Sequence, residues 1–153
     1  MYNVRYLHEN DFEAIYEMGK RFVDKHVHLK NIGWDRGSIG NLFSLCLSAD
    51  KIVFLVLECN DRPVGMMGVI ITPHMFNNSL LTAEEFVWWI DYEHRGKIGM
   101  TFLKTMEEHL KEKGVEKVYF KFLEEEVFHP RVMERMYRRN GYTKIETTMG
   151  KEL

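Results

Sequence analysis

Residues 80–91 form an extended run that passes directly into His94-Arg95-Gly96-Lys97-Ile98-Gly99 and then into a helix-patterned stretch, and no other feature restricts the fold as strongly. Leu103, Met106 and Leu110 continue the apolar register from Ile98 and Gly99, while Lys111, Lys113 and Gly114 supply the cations and glycine that end a helix. Residues 115–123 then read as a strand again. Strand, helix and strand in this order make a β-α-β unit, whose two strands lie parallel in one sheet.

The chain before this unit is built differently. Residues 51–58 are a dense run of Ile, Val, Phe and Leu, and Asn60-Asp61-Arg62-Pro63 turns them into residues 64–71, which predicts a hairpin. Further upstream, residues 2–7 alternate as a strand, and Asn10-Asp11 offer an N-cap to a helix carrying Phe12, Ile15, Tyr16, Met18 and Phe22. A polar joint at 31–37 precedes residues 38–48, which place Ile39, Leu42, Phe43, Cys46 and Leu47 on one helical stripe. Downstream, Pro130 suits the first turn of a helix reaching Arg139, Asn140-Gly141 stop it, and residues 142–147 extend again. The expected order is β-α-α-β-β-β-α-β-α-β: an α/β mixed sheet with helices on both faces, in one domain spanning residues 1–153.

A strand, glycine loop and helix start build an anion site, because backbone N–H groups and the positive end of the helix dipole converge there. Arg95 and Lys97 add charge beside those donors, and a phosphate or pyrophosphate suits the arrangement; the plainer alternative is a helix cap with two solvated cations. There is no G-x-G-x-x-G and no G-x-x-x-x-G-K-S/T, so neither a dinucleotide fingerprint nor a P-loop is present. With 21 basic against 23 acidic residues, a net charge of −2 provides no global attraction for nucleic acid. The N-terminus has no signal-like pattern and no apolar stretch is long enough for a bilayer. A cytoplasmic protein with reduced Cys46 and Cys59 is expected, since neither cysteine has a CxxC partner or a zinc-like spacing.

Trp89-Ile90-Asp91-Tyr92-Glu93-His94-Arg95-Gly96-Lys97-Ile98-Gly99, followed by Leu103, Met106, Glu107 and Glu108 and then Lys113-Gly114-Val115, resembles the acyl-CoA-binding motif of the GNAT acetyltransferase superfamily. About forty residues on, Met136-Tyr137-Arg138-Arg139-Asn140-Gly141-Tyr142 resembles the closing helix of that family, with its tyrosine and following Gly-Tyr pair. The resemblance covers nearly the whole chain and implies an N-acetyltransferase that uses acetyl-CoA, without a metal, and passes the acetyl group directly to a primary amine in a ternary complex. It also implies that Trp89, Ile90, Asp91, Arg95, Gly96, Lys97, Ile98, Gly99 and Met100 hold the coenzyme. Backbone groups near residues 88–91 would bind pantetheine and polarise the thioester. One departure stands out: family members read Arg-Gly-X-Gly-X-Gly, whereas Arg95-Gly96-Lys97-Ile98-Gly99 is one glycine and one residue short, so the loop must be tighter. Lys97 is a candidate to replace by charge what the missing glycine supplied.

The chemistry requires a neutral amine, a site for the oxyanion and a proton for the leaving thiolate. The resemblance implies that Tyr137 is the general acid, against the alternative of core packing beside Met133 and Met136. Glu84 and Glu85 are the candidate bases. Strand alternation sends them to opposite faces, and Glu85, in phase with Val87 and Trp89, is preferred because apolar neighbours raise a carboxyl pKa. A solvated acid is its alternative. Glu124-Glu125-Glu126 read as a solvated turn able to attract a cationic acceptor, and His26 and His28 have metal-like spacing only in an extended segment. Trp34, Phe43, Trp88, Trp89 and Phe128 are pocket or core, and residues 26–41 form the acceptor wall that the resemblance implies. The acceptor, a small-molecule amine or a protein amino group, is not encoded in any one residue. Neither nucleic acid nor membrane is an expected partner; a homodimer through a sheet edge is compatible with the pattern. The competing reading is a non-catalytic GNAT-like module that binds coenzyme A or a protein.

Overall fold

Asn60 and Asp61 both take positive φ, 51° and 61°, the primed-turn geometry whose twist matches that of the strands it joins. They link β2 (Ile52–Cys59) to β3 (Arg62–His74) in the expected antiparallel hairpin. The computed structural model describes residues 1–29, 31–123 and 130–153. These divide into two units, Met1–Lys121 and Phe122–Leu153.

The first unit holds a five-stranded sheet in the order β1-β2-β3-β4-β5, with β1 at Tyr2–Tyr6, β4 at Asn77–Ile90 and β5 at Lys117–Tyr119. Every pairing is antiparallel except β4 with β5, the parallel pair that the β-α-β reading requires. The third and fourth strands are longer than the apolar pattern suggested. They run to a tip at His74 and Asn77, because Pro73 pairs with Leu81 and His74 with Asn77 although Pro73 and the polar residues 77–79 break the hydrophobic signal.

Helix α3 (Lys97–Glu112) lays Phe102, Met106 and Leu110 on one face of the sheet, against Val53, Leu55, Leu57, Met67, Val69 and Ala83. Each such fully buried side chain contributes roughly 1.5–3 kcal/mol. Gly114, at φ 79°, ends the helix, and the Val115 N–H donates back to the Leu110 carbonyl at 3.0 Å. On the opposite face α1 (Phe12–Lys25) and α2 (Arg36–Ser48) pack together, with Phe12 edge-on to Phe43 at 5.2 Å, and α1 meets the sheet where Phe22 abuts Trp89.

Two local expectations change. Asp11 does not cap α1 with its side chain; its carboxylate takes a two-pronged ion pair from Arg5, at 2.7 and 2.8 Å, and closes a capping box with His8. Charge-assisted bonds of this kind outcompete a simple cap. Helix α2 starts earlier, capped by Asp35, and of its apolar stripe only Phe43 and Cys46 are buried, leaving Leu42 and Leu47 exposed along with Leu45.

In the second unit α4 (Pro130–Arg139) ends as expected at Gly141, φ 85°, with the Tyr142 N–H donating to the Tyr137 carbonyl at 3.1 Å. The strand expected at 142–147 is not formed among the described residues. Lys144, Glu146 and the flanking threonines leave Ile145 without an apolar neighbour on its face, so nothing in the segment itself favours a ladder. Among the described residues no helix is long and apolar enough to cross a membrane.

Candidate active site

The sheet opens at one place. The β4–β5 ladder consists of Thr82↔Lys117, Ala83↔Val118 and Glu84↔Tyr119. Beyond it β4 continues to Ile90, whereas among the described residues nothing after Tyr119 pairs with it. Residues 86–90, about 15 Å of strand at the usual rise, lie past the end of this ladder, at a fork. Trp88 and Phe120 stand on the two arms with rings 5.9 Å apart. Where a strand runs past the end of a ladder, its edge carries alternating N–H and C=O groups, which match an extended ligand carrying amides of its own.

That edge leads to the helix start. Gly96 is the N-cap of α3 at φ 117°, a conformation that glycine adopts at little cost. No side chain caps the helix, and the Gly99 N–H turns back to the Gly96 carbonyl at 3.1 Å. The N–H groups of Lys97 and Ile98 have no intrahelical acceptor and point along the axis, as anion-binding donors do. Gly99 is buried, 3.8 Å from Ile90 and 4.0 Å from Trp88 when a Cβ is built on it, which is ordinary contact. Backbone conformation therefore favours glycine at Gly96, whereas neither conformation nor space demands it at Gly99.

Arg95 and Lys97 do different things. The Arg95 Nε donates to the Ile90 carbonyl at 2.8 Å, closing the loop on itself, and its guanidinium lies 4.7 Å above the Trp89 ring and 5.6 Å from that of Tyr92. Burial pulls its pKa below the usual arginine value, with Asp91 and Tyr92 opposing that shift. Trp89 is fixed in turn, its indole N–H donating to Asp91 at 2.8 Å, and Asp91 also accepts both prongs of Arg21 from α1, at 3.1 and 3.0 Å. The Tyr2 hydroxyl and His94 ring meet at 3.1 Å. Lys97 is exposed at the helix start.

Glu84 and Glu85 sit where the fork begins, and a bulge decides their directions. Val87 pairs with Gly68 and Glu85 with Val69, so Phe86 is an extra residue. It folds over Gly68, where any Cβ would come within 2.4 Å of its ring. The expected phase is thereby broken: Glu85 shares its face with Ala83 and Trp88, not with Val87 and Trp89. Glu85 is only 6% exposed, and burial pushes its pKa up to about 7 although the Lys121 backbone N–H donates to it at 3.1 Å. Glu84, on the α1 and α2 face, is half exposed and pairs with the Lys121 ammonium at 2.7 Å. Sequence reasoning missed Lys121 and allowed for a bulge only as the exception that would bring both acids to the cleft, without placing it at Phe86. The one signal for the bulge was the loss of alternation in Phe86-Val87-Trp88-Trp89.

Elsewhere in the first unit, Trp34 packs on Tyr16 at 5.7 Å, Phe43 is buried against Phe12, and His26 caps the end of α1 with its ring 5.9 Å from His28 in a short 3-10 turn. That turn is not the extended segment which two metal ligands at this spacing would need, and no group of three potential metal ligands is found among the described residues. Burial raises the Cys46 thiol pKa to about 11. Phe128 and Glu124-Glu125-Glu126 lie outside the described residues. In the second unit Tyr137 is buried, its ring stacked on Phe122 at 6.0 Å and edge-on to Tyr142 at 5.2 Å. An open depression of about 440 Å³ follows Arg131, Glu134, Arg135, Arg138 and Arg139; it is one face of α4 and encloses nothing.

A family model described as the acetyltransferase (GNAT) family matches residues 10–142. Among solved structures, the chain is similar to a transcriptional regulator from Bacillus halodurans C-125, with a TM-score of 0.79, 18% identity and 100% of both chains covered. An aminoglycoside acetyltransferase from an uncultured soil metagenomic sample gives a TM-score of 0.73 at 18% identity, covering 99% of this chain and 95% of that one. A third similar structure, AAC(6')-Iy in complex with a bisubstrate analogue of coenzyme A and acetylneamine, gives 0.76 at 11% identity over 100% and 98%. No curated protein matches by sequence. At these identities the solved structures establish the fold.

Proposed function

The chain belongs to the acetyltransferase (GNAT) family, and from that premise we propose that it transfers an acetyl group from acetyl-CoA to a primary amine. The observation that carries this reading is the fork, where β4 runs past the end of its ladder with β5 and the chain continues to a helix start that no side chain caps. In this reading the edge at residues 86–90 takes the amides of pantetheine, and the N–H groups after Gly96 take the pyrophosphate with Lys97 beside them. Arg95 keeps the loop closed from within, through Ile90 and Trp89. The short loop is supported in this way without a third glycine.

Holding thioester and amine together supplies much of the acceleration. The amine must lose a proton, and the two carboxylates at the fork are suited to different parts of that task. Glu85, buried and with its pKa near 7, is placed to accept a proton through water near neutral pH. Glu84, exposed on the face of α1 and α2, is placed to attract the ammonium. We assign Tyr137 as the acid that protonates the departing thiolate, on the strength of its place in the motif 136–142. Two of the similar structures are named for aminoglycoside acetylation or hold an acetylneamine analogue, which makes a small cationic amine the first acceptor class to try.

The test is coenzyme release measured with a thiol reagent across a panel of polyamines, aminoglycosides, amino sugars and peptide amines. Acceptor-dependent release supports the enzyme. Tight binding of acetyl-CoA with no release across the panel would instead establish the non-catalytic module.

A further inference from the structure

We propose that Lys121 is a self-acetylation site, an inference that rests on the acetyl-CoA reading of the fork. Its backbone N–H is bonded to Glu85 and its ammonium to Glu84, so one residue engages both carboxylates at the point where β4 and β5 part. Tyr119 stands opposite Glu84 in the ladder, and two residues on the Lys121 ammonium reaches the same carboxylate. Lys121 therefore holds a primary amine on the acceptor face of the fork, in the position relative to Glu84 that an acceptor ammonium would take.

The ion pair does not lock it there. Both side chains are more than half exposed, and exposed pairs contribute about 0–1 kcal/mol. The four-carbon stem of lysine lets the amine swing toward a bound thioester while its backbone stays bonded to Glu85. In the step itself the ammonium gives one proton to the Glu84 carboxylate, and the neutral amine attacks the thioester carbon. The C–N bond forms, the C–S bond breaks, the second proton leaves the nitrogen for solvent, and the thiolate takes up a proton to become the coenzyme thiol. Lysine and acetyl-CoA become acetyl-lysine, free coenzyme and one proton. The product has lost its charge, so Glu84 is released from its internal partner and becomes available to an incoming amine.

Lys117 provides an internal standard. It lies four residues back, in the paired stretch of β5 opposite Thr82, or at most about 13 Å away at the rise of an extended chain. The experiment incubates the purified full chain with isotope-labelled acetyl-CoA and no acceptor, then follows intact mass and maps lysine peptides. One acetyl group should be incorporated at Lys121 with a first-order rate that dilution leaves unchanged. Lys117 should stay near the level of the heat-unfolded chain, and Lys121→Arg should abolish the single incorporation. Glu84→Gln should slow it by about a hundredfold, a loss at the low end for a removed proton acceptor. Label spread evenly over Lys113, Lys117 and Lys121 overturns the proposal, as does a rate that falls on dilution. Calorimetry with acetyl-CoA and the amine panel separate the two levels. If the coenzyme binds and added amines are acetylated while Lys121 is not, only this proposal fails. If the coenzyme does not bind, the acetyl-CoA reading fails and takes this proposal with it.

Discussion

Strands β2 and β4 lie one strand apart in the same sheet and follow opposite rules. From Ile52 to Leu57, β2 is buried on both faces, paired with β3 throughout and with β1 from Leu55 on, with apolar residues at every position. β4 carries an extra residue at Phe86 and two adjacent acids, and among the described residues its ladder with β5 ends at Glu84. β2 is given over to packing, whereas β4 holds a carboxyl away from its usual protonation state and leads to a helix start that no side chain caps. Substitutions at the two strands should accordingly separate stability from ligand binding.

The largest expected effect is on the regular side. Phe102 is fully buried under β2 and β3, and Phe102→Ala should lower the unfolding free energy by about 3–5 kcal/mol, read as a lower urea midpoint at unchanged slope. If coenzyme affinity, measured well below that midpoint, falls as steeply as stability does, the two regions are not separate. Next comes Glu85. Its folded pKa lies near 7, above the 4.5 of an ordinary glutamate, so the native state binds more protons between those values and wild-type stability falls as pH rises through that window. Glu85→Gln removes this slope. The variant should match the wild type near pH 4 and exceed it above pH 8 by on the order of 2 kcal/mol, while acetyl transfer falls by about a hundredfold. Equal stability curves at all pH values would mean that the carboxyl is not desolvated at the fork.

Much of the regular region could be read from residues, because its signals are local and agree with one another. Asn60-Asp61 between two apolar runs specifies a primed turn, and Lys113-Gly114 specifies the end of α3. The fork was less legible because its geometry depends on what is missing. A run such as 115–123 has the composition of a strand, yet among the described residues only Lys117–Tyr119 form the ladder with β4. The phase of Glu85 was misjudged for a related reason, since alternation cannot register one inserted residue whose ring happens to fit over Gly68. Likewise Arg95 and Lys97 look like equal cations in sequence, and only the short reach from Arg95 back to Ile90 separates them.

Gly96→Ala sharpens the comparison at smaller amplitude. The positive φ there disfavours a side chain although the space around it is open, so the substitution should lower stability by about 1–2 kcal/mol and weaken acetyl-CoA binding as the helix start shifts. An unaltered affinity would show that the donors after Gly96 do not contact the pyrophosphate.

The smallest and most discriminating prediction concerns the two cations of the loop. Lys97 is exposed at a helix start, where its interaction with an anion is long-ranged and screened by salt. Lys97→Ala should therefore raise the Kd for acetyl-CoA by about two- to fivefold at low ionic strength, the equivalent of roughly 0.5–1 kcal/mol, and the difference should vanish near molar salt. Arg95 is part-buried and bonded within the loop, so Arg95→Ala should lower the thermal midpoint and raise the Kd by a factor that salt barely changes. The contrast in salt dependence is the measurement that matters. Should both variants show the same dependence, the division of labour between a cation facing the ligand and one closing the loop would be wrong, and Arg95 would have to leave Trp89 when the coenzyme binds.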